Sequence, residues 1–326
     1  MMLMPPFELH HPKSVEEACE LASSFMDSGE SFDWVAGGTD LLPNYKWHIN
    51  VKKHVISLAK ISGTDVISMT EIGAMSRLGA ITESKDVHPL IAEAAAKVAS
   101  SLIRNNATLG GNLCVDTRCF WFNQSEDWRR SIDWCHKEDC GTGSDCRVIP
   151  NQNTLCVATY QGDLAPSLMV LEGTIHLIGP NGSREVPAEE FFQLDGITRN
   201  VLQEGEFVLK VTFPENVSER VGSYHKLRVR ESWDFPEAGV SAAWIPGQSE
   251  TLRVASTALE SIPRLHSEQV AELSGDFSAS KITDLSVAVM KSIKPVNNTA
   301  LNPRYRKAMV KVLAKRSLRK ILEASE

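Results

Sequence analysis

The sequence contains no apolar run approaching the roughly 20 residues that a membrane-spanning helix requires. Its residues 1–6 offer neither the basic stretch nor the apolar core of an export signal. The chain reads as cytoplasmic, with no membrane partner. Positive charge is in deficit, with 34 Lys and Arg against 41 Asp and Glu and a formal net charge of -7. That balance gives a polyanion little to hold, which excludes nucleic acid as a partner. No internal repeat, no low-complexity segment and no Gly-x-Gly-x-x-Gly string occurs, so a Rossmann-type nicotinamide site is not supported. What is present suffices for two or three cores without disulfides: 326 residues, 42% hydrophobic and 23% charged. Six of the seven cysteines crowd between Cys114 and Cys156. In a reducing compartment such crowding points to metal or redox chemistry and away from structural bridges.

The patterning alternates short strands with helices. Ser14 should cap a helix with apolar positions Val15, Ala18, Leu21 and Ala22, and Glu17 stands at the capping-box position. An apolar strand at 32–36 runs into Gly37-Gly38-Thr39-Asp40. Further strands are expected at 55–58 and 66–69, with an alternating stretch at 76–81. An amphipathic helix at 88–103 leads into Thr108-Leu109-Gly110-Gly111-Asn112. Beyond the cysteines, strands are expected at 167–171, 174–178, 207–213, 223–228 and 240–245. A basic amphipathic helix at 303–324 closes the chain, its charges, Arg304, Arg306 and Lys307 among them, forming a solvated face.

The two glycine turns are the first chemical clue. Glycine lacks a Cβ and tolerates positive φ, so backbone amides at such a turn can approach a pyrophosphate closely. One Gly-Gly is equally well a tight turn; two, each following an apolar element, are what a split pyrophosphate cradle requires.

The strings around these turns carry a resemblance. Val35-Ala36-Gly37-Gly38-Thr39-Asp40-Leu41-Leu42 and Ala107-Thr108-Leu109-Gly110-Gly111-Asn112-Leu113 resemble the paired FAD-binding motifs of the flavoprotein subunits of the xanthine oxidase family. Gly162-Asp163-Leu164-Ala165-Pro166, Gly205-Glu206-Phe207-Val208-Leu209, Tyr224-His225-Lys226-Leu227-Arg228 and Asp234-Phe235-Pro236 continue it in the family's order, over nearly the whole chain. The resemblance implies an α+β fold with an N-terminal FAD-binding subdomain at 1–58, a second at 59–179 and a C-terminal α+β domain at 180–326. It implies FAD contacts from Ala36, Gly37, Gly38, Thr39, Asp40, Thr108, Gly111 and Asn112. Asp163 matches a position on the ribityl side, and Val208 and Lys226 match positions beside the isoalloxazine.

Between Asn112 and Asp163, which in most of the family lie close together, this chain carries an insertion at about 114–160. Phe120, Trp121, Phe122, Trp128 and Trp134 argue that it is ordered. Four thiolates suit a 4Fe-4S cluster, and the spacing lacks the close pairs of a zinc ribbon, although a zinc knot remains an alternative. The insertion resembles the 4-hydroxybenzoyl-CoA reductase branch of the family, through Asn112-Leu113-Cys114-Val115-Asp116-Thr117-Arg118-Cys119, Trp128-Arg129 and Trp134-Cys135. This implies Cys119, Cys135, Cys146 and Cys156 as ligands, with Cys140 open as the rival of Cys146 for third place. Cys19 and Cys114 read as small buried hydrophobes. The resemblance further implies partners: a large subunit with the molybdenum cofactor and a small subunit with two 2Fe-2S clusters, assembled as a dimer of heterotrimers. Electrons would pass from a low-potential ferredoxin through the 4Fe-4S cluster and FAD to the 2Fe-2S clusters and molybdenum, where 4-hydroxybenzoyl-CoA becomes benzoyl-CoA. An oxidative hydroxylase of another aromatic or N-heterocyclic compound is the alternative within the family.

Overall fold

The computed structural model describes residues 3–137, 145–151, 155–273 and 275–324. Helix Val15–Ser28 starts at Ser14, whose hydroxyl accepts the Glu17 amide at 3.2 Å, while the Glu17 carboxylate reaches back to the Lys13 amide at 2.7 Å. It ends at Gly29, where φ is 69°, the left-handed turn that glycine permits without a steric penalty. The helix crosses between parallel strands: Glu8–His10 and Phe32–Val35 flank His54–Ser57. Parallel neighbours need such crossovers, and the central strand, covered on both sides, is buried throughout.

A second, antiparallel sheet runs in the order Glu71–Gly73, Phe207–Thr212, Thr174–Gly179, Gly182–Pro187. Its last two strands pair residue for residue across a tight hairpin, so a boundary at 180 would divide them. Several sequence expectations change here. The stretch expected as a strand at 167–171 lies largely in helix Ala165–Val170, all six residues of which are buried. A short apolar run surrounded by core has no polar face to reveal its period. The alternation at 76–81 leads into helix Leu78–Glu83, and the strand expected at 66–69 reduces to one bridge, Ile67 to Ile72. The long helix at 88–103 is two, Pro89–Ala96 and Ser101–Arg104, parted at Ala99 with φ 41°.

The third sheet is antiparallel, in the order Arg264–Leu265, Gln248–Thr257, Ala238–Ile245, Val221–Leu227. Ala238, Val240, Ala242 and Trp244 face helices Ile282–Ser292 and Pro303–Glu323, while Ala243 and Ala255 join the core of the second sheet. All eight residues of Ala238–Ile245 are therefore buried. The C-terminal helix does not present all its charges to water. Arg306 is fully buried, donating to the carbonyls of Glu237 at 2.9 Å, Val296 at 3.1 Å and Ala258 at 2.6 Å. Together the sheets and helices form an α+β fold, and among the described residues no helix is long and apolar enough to cross a membrane.

One buried histidine gives this fold a pH signature. His266 sits between the Ser256 and Ser292 hydroxyls, at 2.9 and 3.1 Å, and burial pushes its pKa down to about 3. Because the folded value lies below the unfolded value of about 6.5, the neutral ring stabilises the fold above about pH 6.5, and that contribution is lost as pH falls toward 3. The full loss is roughly 5 kcal/mol. His266→Gln should flatten the fall in denaturation midpoint between about pH 6.5 and 4; an unchanged slope would assign the acid sensitivity elsewhere.

Candidate cofactor sites

Strand Phe32–Val35 delivers Ala36 into the first glycine turn. At Gly37 a Cβ would lie 1.8 Å from the Asn106 carbonyl oxygen, so only glycine fits, and Gly38 has φ 68°. The carbonyls of Gly38 and Asp40 start the next helix by accepting from Leu42 and Asn44, both at 3.2 Å. The amides of Gly37, Gly38, Thr39 and Asp40 find no acceptor among the described residues. A half-buried turn with unclaimed donors is suited to an anion.

The second turn differs. Leu109–Leu113 is a single helical turn capped by Thr108, whose hydroxyl accepts the Gly111 amide at 3.1 Å. The Leu109 and Gly110 amides are given to Ser76 at 3.0 Å and Ala74 at 2.8 Å. Those donors are therefore committed inside the protein. What this turn offers the first is proximity: a Cβ on Gly111 would stand 3.8 Å from the Ala36 Cβ.

Asn112 closes the neck of the insertion. Its Oδ1 accepts the Leu164 amide at 3.0 Å, the Tyr160 hydroxyl donates to the Asn112 and Leu113 carbonyls at 3.1 and 3.2 Å, and Arg118 and Thr159 exchange backbone hydrogen bonds at 2.7 Å. The insertion thus leaves and re-enters beside the second glycine turn. Asp163 lies at that neck, 2% exposed, accepting from the Tyr224 hydroxyl at 2.7 Å and pairing with Lys226 Nζ at 3.0 Å. Lys226 also donates to the Lys97 carbonyl at 2.9 Å. Burial pushes the Asp163 carboxyl up and the Lys226 ammonium down, and their mutual attraction opposes both shifts.

The structure therefore brings Ala36–Asp40 to Thr108–Asn112, and Asp163 to Lys226. Val208 is placed differently: its side chain is buried in the core of the second sheet, on a strand paired with Leu177. Asp40 faces the insertion, its carboxylate ion-paired with Arg118 and accepting the Asp116 amide at 3.3 Å.

Cys119, Cys135, Cys146 and Cys156 line one pocket together with Trp121, Phe122, Val148 and Ala158. All four are buried and none is in a disulfide. Burial pushes the Cys119 thiol up to about 12 and the Cys156 thiol up to about 11, so without a metal both stay protonated. Lys137, also buried, lines the same pocket, 4.5 Å from the Phe122 ring centroid, and donates to Asp116 at 2.9 Å and the Thr117 hydroxyl at 2.6 Å. Arg129 fastens the insertion to the segment after the first turn, donating to the Trp47 and His48 carbonyls, both at 3.0 Å. Cys19 and Cys114 are half-buried against apolar clusters outside this pocket. Cys140 lies outside the described residues.

Sequence reasoning assigned no role to Lys137, Arg129, Arg118 or Tyr160. The available signal was charge inside an aromatic, cysteine-rich loop, where a Lys or Arg must either reach water or find carbonyls and carboxylates.

An open anion-suited turn, a second turn pressed beside it and a thiol pocket hung from the same neck describe a cofactor-holding α+β protein. The chain belongs to the family described as the FAD binding domain in molybdopterin dehydrogenase, whose model matches residues 5–216. It is similar to the aldehyde oxidoreductase FAD-binding subunit of Escherichia coli (strain K12), 28% identical over 236 residues that cover 66% of this chain and 71% of the relative. The carbon monoxide dehydrogenase medium chain of Hydrogenophaga pseudoflava is 25% identical over 330 residues, 97% of each chain. Among solved structures, the carbon monoxide dehydrogenase from Hydrogenophaga pseudoflava that lacks the Mo-pyranopterin moiety of its cofactor matches at a TM-score of 0.75, with 24% identity and 99% of each chain covered. Quinoline 2-oxidoreductase from Pseudomonas putida 86 matches at 0.74 with 17% identity and the same coverage. These two likenesses concern the fold.

Proposed function

We propose that this chain is the FAD- and 4Fe-4S-holding electron-transfer subunit of a molybdenum hydroxylase-family enzyme of the 4-hydroxybenzoyl-CoA reductase type. The observation that carries the reading is the gathering of Cys119, Cys135, Cys146 and Cys156 in one buried pocket, on an insertion whose neck closes at Asn112 and Leu164 beside the glycine turns. Bound in these sites, FAD would supply two-electron storage and the cluster one-electron exchange. The chain's own part is to hold and insulate. The amides of Gly37, Gly38, Thr39 and Asp40 would receive the pyrophosphate, with Ala36, Thr108, Gly111 and Asn112 shaping the gap. Asp163 and Lys226 would hold the ribityl and ring side, and Val208 would support that strand from the core. Trp121 and Phe122 keep water from the thiols, and Lys137 places a positive charge beside them.

The substrate and its partners enter as part of this proposal: a molybdenum-bearing large subunit, a small subunit with two 2Fe-2S clusters, a dimer of such heterotrimers and a low-potential ferredoxin as donor, in the cytoplasm. The absorption spectrum of the purified protein, with iron and sulfide analysis, tests the cofactors. Flavin bands over a broad iron-sulfur shoulder are expected; a colourless, zinc-containing protein would instead make the insertion an interaction module.

A sharper test lies in the two turns. Gly38→Val is strained by its positive φ whatever binds there, but Gly111 has a negative φ and only its capping hydroxyl close by, at 3.1 Å. Gly111→Val should therefore fold, fill the gap toward Ala36, and purify with little of its flavin. Stoichiometric FAD in that variant would remove the second turn from the site.

A further inference from the structure

At the edge strand of the N-terminal sheet, apart from the residues assigned above, two imidazoles and a carboxylate converge. Parallel pairing registers Glu8 with His54 and His10 with Ile56, so Glu8 and His10, two residues apart on the edge strand, share a face with His54 on its neighbour. His10 Nε2 lies 3.2 Å from His54 Nδ1, Glu8 Oε2 lies 3.5 Å from the same nitrogen, and the three ligand atoms all fall within 4.8 Å of one another. Two nitrogens bound to one tetrahedral cation at about 2.0–2.1 Å stand about 3.3 Å apart. The imidazoles already hold that separation.

The surroundings fix the rings as ligands require. His54 is stacked on Phe25, centroids 4.2 Å apart and planes at 12°, and His10 packs on the same ring at 5.1 Å. Behind His54, Glu30 Oε2 stands 3.2 Å from Nε2, where a carboxylate selects the tautomer whose Nδ1 lone pair faces His10 and Glu8. That Nε2 is buried and its contact with Glu30 is not an aligned hydrogen bond, so the Phe25 stack fixes the ring plane and the carboxylate acts on the ring by its charge. The side is open at Glu8, 64% exposed, against 4% for His54.

We infer that Glu8, His10 and His54 form a site for one divalent transition cation of zinc type, with Glu30 orienting His54 and the fourth position open to solvent. Imidazole with carboxylate suits zinc better than magnesium or calcium, which favour all-oxygen sets. The ion would clip the edge strand Glu8–His10 to the strand that carries His54. The site is independent of the thiols and of the flavin reading.

Zinc is the probe. The full chain, dialysed against chelator with its cofactors retained, is titrated with Zn²⁺ by calorimetry, and the zinc environment is read by X-ray absorption at the zinc edge. One equivalent with nitrogen and oxygen neighbours only is expected, together with a raised thermal midpoint. His10→Ala should lose that equivalent and the thermal gain, and Glu8→Gln should weaken affinity by about tenfold or more, both keeping wild-type flavin and iron. Because His54 is buried and its replacement would disturb the strand itself, the Glu8 and His10 variants carry the test. Zinc uptake unchanged in His10→Ala, sulfur neighbours at the zinc edge, or no uptake by the wild type would each overturn the site and leave a histidine–histidine hydrogen bond.

Discussion

Cys146→Ser should purify with its iron and acid-labile sulfide reduced from stoichiometric amounts to background, while Cys140→Ser keeps both. The expectation rests on what burial does to a thiol set. Cys146 is 5% exposed and shares its pocket with Cys119, Cys135 and Cys156, at 8%, 7% and 7%. Desolvation keeps Cys119 and Cys156 protonated in the metal-free protein, and a coordinated metal is what would deprotonate them. Serine is nearly isosteric but offers a hard, high-pKa oxygen in place of a soft sulfur, so it weakens binding without opening a large cavity. The fold outside the insertion should survive, because the neck at Arg118 and Thr159 and the Arg129 clamp do not depend on the thiols. Iron retained in Cys146→Ser and lost in Cys140→Ser would move the third ligand; iron retained in both, and in Cys119→Ser, would end the cluster assignment.

How much of this was legible in the sequence varied with the kind of signal. The glycine turns could be read because steric exclusion leaves glycine no substitute at Gly37, against the Asn106 carbonyl, and at Gly38 with its positive φ. The gathering of the cysteines followed from residue type, since soft ligands crowded in one loop have few other uses. Periodicity failed where burial is complete: helix Ala165–Val170 has no polar face, and a short apolar run then reads as strand. It failed again at Arg306, where a charge that looks solvated along the helix is satisfied by three carbonyls from separate segments. Long-range partners of that kind leave no local trace. For the same reason the committed amides of Leu109 and Gly110 could not be foreseen, since their acceptors, Ser76 and Ala74, lie a full segment away.

Asp163→Ala should destabilise the protein by about 3–5 kcal/mol, as expected when one member of a buried pair is removed and the other charge is left uncompensated. Both side chains of the Asp163–Lys226 pair are only 2% exposed, so water cannot replace the lost partner. Lys226 retains only the Lys97 carbonyl, and the Tyr224 hydroxyl loses its acceptor. The same substitution should also deplete the flavin, and the two effects must be separated. Asp163→Ala combined with Lys226→Met removes both charges together and should recover most of the stability, because well-packed apolar replacements of a buried pair are often neutral. Flavin content should not recover, since the carboxylate proposed to hold the ribityl side is still missing. The measurement is a double-mutant cycle in chemical denaturation of flavin-free protein, run beside the flavin stoichiometry of each variant as purified. If the double variant regains both stability and flavin, Asp163 is only a structural anchor for Lys226 and Tyr224. If Asp163→Ala costs nothing in the flavin-free protein, the pair does not hold the fold, and its geometry must be maintained for the cofactor alone.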